Sequence, residues 1–289
     1  MIGRVIKFYN SFFFVRAEGK LIPCKLRGLL KRDKKVGSAV CVGDFVKISQ
    51  LKDGSGVIEN VQSRRNFLIR PPVANVDRVL LTFAVDAPKL HPLLLNRFLV
   101  LAEQSAIGEV IICVNKTDLS ADENFLSEYE PLYRVVRVSA MTGAGVAELR
   151  KILSAGVTVL AGPSGVGKSS LLNAVDKNLR LKVGTVSEKI LRGKHTTRVA
   201  ELIEYGGGFL VDTPGFSAVD LAEAGLDKNN LRHCFKEFTE FATGCKFRNV
   251  CSHSHEPDCG VKLAVERGDI MRERYAAYLT LLDEVGTAR

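Results

Sequence analysis

Over the first 70 residues apolar positions fall in short runs, IGRVIKF, SFFFVRA, KLIPCKL, DFVKISQL and GVIENVQ, with polar breaks at Glu18-Gly19 and Lys52-Asp53-Gly54. Runs of that length with an Asp-Gly turn signal between the last two predict five short strands, and five strands in about 65 residues suit a small barrel of the OB type. Arg70-Pro71-Pro72-Val73-Ala74-Asn75 interrupts the pattern and reads as a linker, since proline extends neither ladder nor helix. Continuous apolar runs then follow at 78–83, 109–114, 134–138 and 157–161, with helical spacing at 93–103 and 169–175 between and after them. Two more strands are expected at 200–203 and 208–211. Buried strands alternating with helices predict a parallel sheet flanked by helices. Farther on, Leu231, Phe235, Phe238 and Phe241 recur at helical spacing, as do Met271, Tyr275, Tyr278 and Leu282. The expected division is 1–70, 71–218 and 219–289.

Charge adds a partner to this picture. The chain carries a formal net charge of +9, but residues 1–70 hold 15 Lys/Arg against 5 Asp/Glu, and the rest hold 26 against 27. An excess confined to one small barrel, with Lys31-Arg32-Asp33-Lys34-Lys35 in a loop, points to contact with a polyanion, and barrels of this type bind nucleic acid. Phe12, Phe13 and Phe14 could stack on bases, although alternation along a strand sends at least one of them inward. No apolar run reaches the roughly 18 residues of a membrane span, and MIGRVIKFYN lacks the apolar core of a signal peptide, so a cytoplasmic protein without membrane contact is expected. Seven cysteines, three of them near a histidine pair, fit reduced thiols and a metal site better than a disulfide framework.

The strand at 157–161 runs into Gly162-Pro163-Ser164-Gly165-Val166-Gly167-Lys168-Ser169-Ser170, which matches G-x-x-x-x-G-K-[ST]. Its glycines let successive N–H groups face phosphate oxygens, Lys168 reaches the β- and γ-phosphates, and the Ser169 hydroxyl is a Mg²⁺ ligand. The strand at 109–114 ends in Asn115-Lys116-Thr117-Asp118, at the carboxyl edge where open α/β sheets bind ligands. Asp118 can accept paired hydrogen bonds from N1–H and the exocyclic amine of guanine, a donor pair adenine does not present. Asn115 would brace neighbouring loops, the Lys116 stem would cover the base, and Ser139-Ala140 after the strand at 134–138 would bring a backbone N–H to the base oxygen.

Lys177 to Arg198 is polar and without apolar period, and is expected to be ordered by GTP. A threonine of Gly193-Lys194-His195-Thr196-Thr197, either Thr196 or Thr197, could complete Mg²⁺ coordination beside Ser169. The strand at 208–211 leads into Asp212-Thr213-Pro214-Gly215, where Asp212 would hold the metal and the Gly215 N–H would meet the γ-phosphate. Cys245, Cys251 and Cys259, with His253 or His255 as fourth ligand, can close a tetrahedral Zn²⁺ site that has no open position for catalysis.

GTPases usually present phosphate loop, switch threonine, DxxG, NKxD and SA in that order. Here NKTD and SA come first, and GPSGVGKSS, HTT and DTPG follow, so the chain reads as a circularly permuted P-loop GTPase. With its basic OB-type barrel and Cys/His-rich helical C-terminal module, the chain closely resembles the ribosome small-subunit-dependent GTPase A family over essentially its whole length. The resemblance implies a bacterial GTPase of late small-subunit maturation, stimulated by the subunit. It implies GTP/GDP, the small ribosomal subunit and its rRNA as partners, Mg²⁺ with GTP, one structural Zn²⁺, and a monomer. The position after DxxG is Phe216, which cannot orient water, and the family's Gly-x-His-Thr-Thr pattern assigns that role to His195 beside Lys168 and Gly215. The family's Cys-x-His-x₅-Cys spacing selects His253 as zinc ligand. The rival readings are a non-enzymatic, nucleotide-dependent RNA-binding adaptor and an ATP-dependent enzyme, the latter disfavoured by NKTD.

Overall fold

The structure is a computed structural model that describes residues 1–27, 40–69, 71–119, 126–179, 200–212 and 220–287. Five strands, β1 (Ile2–Tyr9), β2 (Phe12–Ala17), β3 (Lys20–Leu26), β4 (Phe45–Gln50) and β5 (Gly56–Val61), close a barrel in the order β1-β2-β3-β5-β4. Alternation along the strands sends Val5, Val15, Ile22, Val46, Ile48 and Ile58 into a core of their own. Phe13 joins that core, while Phe12 and Phe14 stay half-buried on the outside, under the ammonium groups of Lys25 and Lys7. The basic run Lys31 to Lys35 lies outside the described residues.

The expected linker is structured. β6 (Phe67–Leu68) and β7 (Val73–Ala74) form a short antiparallel ribbon around the prolines. The carboxamide of Asn66 bonds both backbone groups of Val76, and buried Asn75 donates to the Gly43 carbonyl of the barrel at 3.1 Å. Proline forbids a long ladder but not a two-residue one, and the polar side chains finish the pairing.

Six strands make the second sheet, in the order β10-β9-β8-β11-β13-β12: β8 (Arg78–Ala84), β9 (Glu109–Asn115), β10 (Arg134–Arg137), β11 (Val157–Ala161), β12 (Ile203–Tyr205) and β13 (Gly208–Asp212). All neighbours are parallel except the edge pair β12 and β13. Parallel strands need both faces covered, which is why β8, β9 and β11 read as unbroken apolar runs. One face packs under α1 (Pro92–Gln104), the other under α2 (Val146–Leu153) and α3 (Lys168–Val175).

The C-terminal helical module comprises α4 (Phe238–Ala242), α5 (Gly260–Arg267) and α6 (Arg272–Thr287). The stripe Leu231, Phe235, Phe238 and Phe241 is not one helix. A 3₁₀ turn, Leu231–Cys234, ends at Phe235 and α4 begins three residues later, although Leu231, Phe235 and Phe238 are all buried. Both helix types bring residues three or four apart onto one side, so the spacing alone could not tell them apart.

This module shares one apolar cluster with the α1 face of the sheet. Through that cluster Arg274, 1 % exposed, bonds both carboxylate oxygens of Glu237 and donates to Asn96 of α1 at 2.8 Å. A buried pair of this kind adds little over an apolar substitute, but removal of one member strands the other charge. Arg274→Met should therefore cost about 3–5 kcal/mol in denaturant unfolding, and joint replacement with Glu237→Leu should cost much less than the single change. Equal losses would show that the pair is not coupled.

Candidate functional site

The carboxyl ends of β8, β9 and β11 place three loops side by side. β11 is fully buried and delivers Gly162, whose φ is 147° and whose missing Cβ would sit 2.0 Å from the Thr82 carbonyl oxygen. Gly167 has φ 92° and would put a Cβ 2.3 Å from the Asn115 amide nitrogen. At both positions the backbone comes too close to its neighbour for any side chain. Between them Val166 is buried while Ser164, Gly165, Ser169 and Ser170 face solvent, and Pro163 is half-buried. The Lys168 ammonium spans the loop, donating to the carbonyls of Gly162 and Pro163 at 2.7 Å each.

Asn115, 1 % exposed, joins the loops. Its amide donates to the Val166 carbonyl at 2.9 Å, and its oxygen accepts the Ala140 N–H at 3.2 Å. Lys116, with φ 64°, donates to the carbonyls of Gly165, at 3.0 Å, and Ala87. Thr117 bonds the Val138 carbonyl through backbone and hydroxyl. The buried Ser139 hydroxyl donates to the exposed Asp118 carboxylate and accepts the Thr142 N–H at 3.1 Å. Asp118 is thus held from behind with its outer face open, a geometry for a paired donor such as the guanine edge. The loop after β8 also belongs to this wall: Ala87 receives Lys116, and Pro88 lies 3.5 Å from where a Cβ on Gly165 would be. Nothing local in Asp86-Ala87-Pro88 signals this; only the adjacency of β8 and β11 in the sheet could have.

Asp212 ends β13, paired with Leu160 of β11, so its backbone stands beside the strand that feeds the phosphate loop. His195, Thr196, Thr197 and Gly215 lie outside the described residues.

A second constellation stands in the C-terminal module. Cys245, Cys251, His253 and Cys259 are all buried, and their ligand atoms lie within 4.8 Å of one another. Cys245 Sγ is 3.7 Å from Cys259 Sγ, and His253 Nδ1 is 3.5 Å and 3.4 Å from those two sulfurs. Around a tetrahedral Zn²⁺, ordinary bond lengths give about 3.8 Å between sulfurs and about 3.5 Å between sulfur and nitrogen, so the donor set fits the ion. His255 is exposed and bonds Ser254 instead. The turn that aims His253 inward, at φ 57°, is fixed by Glu256, which accepts the amides of Ser252 at 2.6 Å and Ser254 at 3.1 Å. Burial would raise the Glu256 pKa, but those amides outweigh it and bring it down to about 2. Tyr275 and Tyr278 of α6 donate to the carbonyls of His253 and Ser252.

Burial pushes the His253 imidazole below its ordinary value, which favours the neutral form that a metal needs, and pushes the Cys251 thiol up to about 12. A bound cation would draw off that proton. By the same cause the thiol of Cys24 rises to about 11 and those of Cys113 and Cys234 to about 12, which leaves these three as protonated packing groups.

Residues 61–222 match the family described as RsgA GTPase and residues 2–58 the RsgA N-terminal domain. A "Small ribosomal subunit biogenesis GTPase RsgA" from Clostridium botulinum is 44 % identical, covering 99 % of this chain and 97 % of that protein. One of the same name from Caldanaerobacter subterraneus subsp. tengcongensis is 42 % identical over 98 % of this chain and 95 % of its own. The crystal structure of YjeQ from Thermotoga maritima superposes with a TM-score of 0.83 at 37 % identity, covering 100 % of this chain and 99 % of that one. YloQ, described as a circularly permuted GTPase, gives 0.79 at 33 % identity, covering 98 % and 94 %.

The site geometry yields a direct test at Gly167. In Gly167→Ala the φ of 92° and the 2.3 Å approach to Asn115 act together, so GDP affinity should fall by roughly 5- to 150-fold, for a strain of about 1–3 kcal/mol. Calorimetric titration that returned the parent affinity would show that the loop tolerates another path.

Proposed function

The chain belongs to the RsgA GTPase family, and on that premise we propose that it hydrolyses GTP to GDP and phosphate in the biogenesis of the small ribosomal subunit, to which it binds. The observation that carries this reading is the convergence of the phosphate loop, Asn115–Asp118 and Ser139-Ala140 through the Asn115 carboxamide. Asp118 reads the guanine edge, flanked by the Lys116 stem, Thr117 and the Ala140 N–H, while the backbone from Gly162 to Ser170 cradles the phosphates. Lys168 exchanges its two carbonyl partners for phosphate oxygens when nucleotide enters. Ser169, Asp212 and Thr196 or Thr197 would hold the Mg²⁺ that comes with GTP, which would neutralise charge developing on the phosphates. Gly215 meets the γ-phosphate, and His195 orients water where Phe216 cannot.

The three units divide the work as residues 1–70 for rRNA contact, 71–218 for GTP and 219–289 for a zinc-bound module. The closed barrel and its charge excess support the first role; the tetrahedral donor spacing supports Zn²⁺ at Cys245, Cys251, His253 and Cys259. Zinc there would supply folding energy and no chemistry, since four protein ligands close its shell.

Hydrolysis measured with purified small subunits, large subunits and neither should rise only with small subunits. An absence of stimulation would favour the adaptor reading. Asp118→Ala should lose GTP affinity and preference over ATP together, by roughly tenfold or more, because the base donors are left unmet. His195→Ala should bind GTP normally and lose most of the stimulated rate; retained stimulation would assign the water to RNA. Metal analysis should return close to one Zn²⁺ per chain. Cys251→Ala should lose the metal and unfold the module, whereas His255→Ala should keep both.

A further inference from the structure

The barrel meets the second sheet at its outermost hairpin, through backbone as well as side chains. In its pairing with β2, strand β1 has a bulge between Val5 and Lys7. There the Ile6 carbonyl accepts the Leu202 N–H at 2.9 Å, and Lys7 forms an antiparallel bridge to Glu201 with its ammonium 3.4 Å from the carboxylate. Arg16 of β2 pairs with Glu204 of β12, and the Arg4 guanidinium lies 5.7 Å from the Phe209 ring of β13. A bulge turns a side chain out of its strand's alternation. Ile6 accordingly leaves the barrel core and is buried, 5 % exposed, in the apolar cluster of the sheet.

That hairpin is the stretch of chain between two nucleotide-sensing motifs. Thr197 precedes Ala200, where the hairpin begins, by three residues in the sequence. The other end of the hairpin is Asp212, the first residue of DTPG. Among the described residues β12 pairs within the sheet only with β13, and the barrel meets the edge just before it, at Glu201 and Leu202. The C-terminal module is fastened differently, to α1 through buried Arg274.

The structure assigns Lys7 and Ile6 to GTP hydrolysis as positioning residues: by holding Glu201 and Leu202, the barrel fixes the β12–β13 hairpin, which ends at Asp212. Whatever grips the barrel acts on that hairpin without touching nucleotide. A subunit bound to the barrel thereby changes kcat more than it changes nucleotide affinity. This inference rests on the subunit-dependent GTPase reading above.

The test is stimulated kcat and KM for GTP, at saturating small subunits, in Lys7→Glu, Glu201→Lys and the double exchange. Each single change should lower stimulated kcat about fivefold, since it replaces a half-exposed ion pair with a like-charge contact, while KM and GDP affinity stay near the parent values. The double exchange should recover most of the rate. Because it still lacks the positive charge of Lys7 on the barrel, recovery cannot come from restored RNA contact. Single variants with parental kcat, or an exchange no better than either, would overturn the assignment. Should a reversed charge prevent folding, Glu201→Gln gives the same reading with a smaller loss. If the parent protein shows no stimulation, the GTPase reading fails first. Exchange of the Leu202 amide in the GTP-analogue and GDP complexes then decides the link by itself: different protection supports it, and equal protection overturns it.

Discussion

The carboxamide of Asn115 is the constraint on which the nucleotide site depends. Fully buried at the end of β9, it donates to the phosphate loop and accepts from the Ser139-Ala140 loop. It thereby spaces three loops that come from three different strands. Each bond alone contributes about 1 kcal/mol. Their larger effect is geometric, since a buried amide with both ends occupied cannot move without leaving unpaired polar groups on two loops at once. The approach of Gly167 to this amide, too close for any Cβ, follows from the same contact.

Around that site the two appended units are attached in opposite ways. The C-terminal module continues the apolar cluster of the sheet and is locked to α1 by Arg274, Glu237 and Asn96, so module and sheet form one packed body. The barrel keeps its own core and is joined through the β6–β7 ribbon, Asn75 and the seam at Leu202. A junction of polar bonds and a few apolar side chains such as Ile6 and Val42 can be remade at lower cost, whereas an extensive shared core resists deformation. Nucleotide-linked movement is therefore expected of the barrel rather than of the zinc-type module.

Much of this was legible in the residues. The phosphate loop is specified by glycines at positions where no other side chain fits, and parallel strands by apolar runs that need cover on both faces. The order of motifs identified the permutation, which the sheet shows as NKTD on β9 ahead of the phosphate loop after β11. Other features depended on tertiary partners. Phe235 breaks a helix that its spacing suggested, because a 3₁₀ turn buries the same stripe. The prolines at 71 and 72 hid a ribbon completed by Asn66 and Asn75. Neither the contact of Ile6 with Leu202 nor the role of Ala87 leaves a local trace, since each is a contact between segments more than 25 residues apart.

The central claim is that nucleotide state and subunit binding are one linked equilibrium. The most direct measurement is the affinity of small subunits for the protein bound to a non-hydrolysable GTP analogue and bound to GDP, together with the affinity of each nucleotide for free and subunit-bound protein. Linkage requires the two ratios to be equal. The account predicts that subunits bind the GTP-analogue form more tightly and raise its affinity relative to GDP by that same factor. Equal subunit affinity in the two states would contradict it.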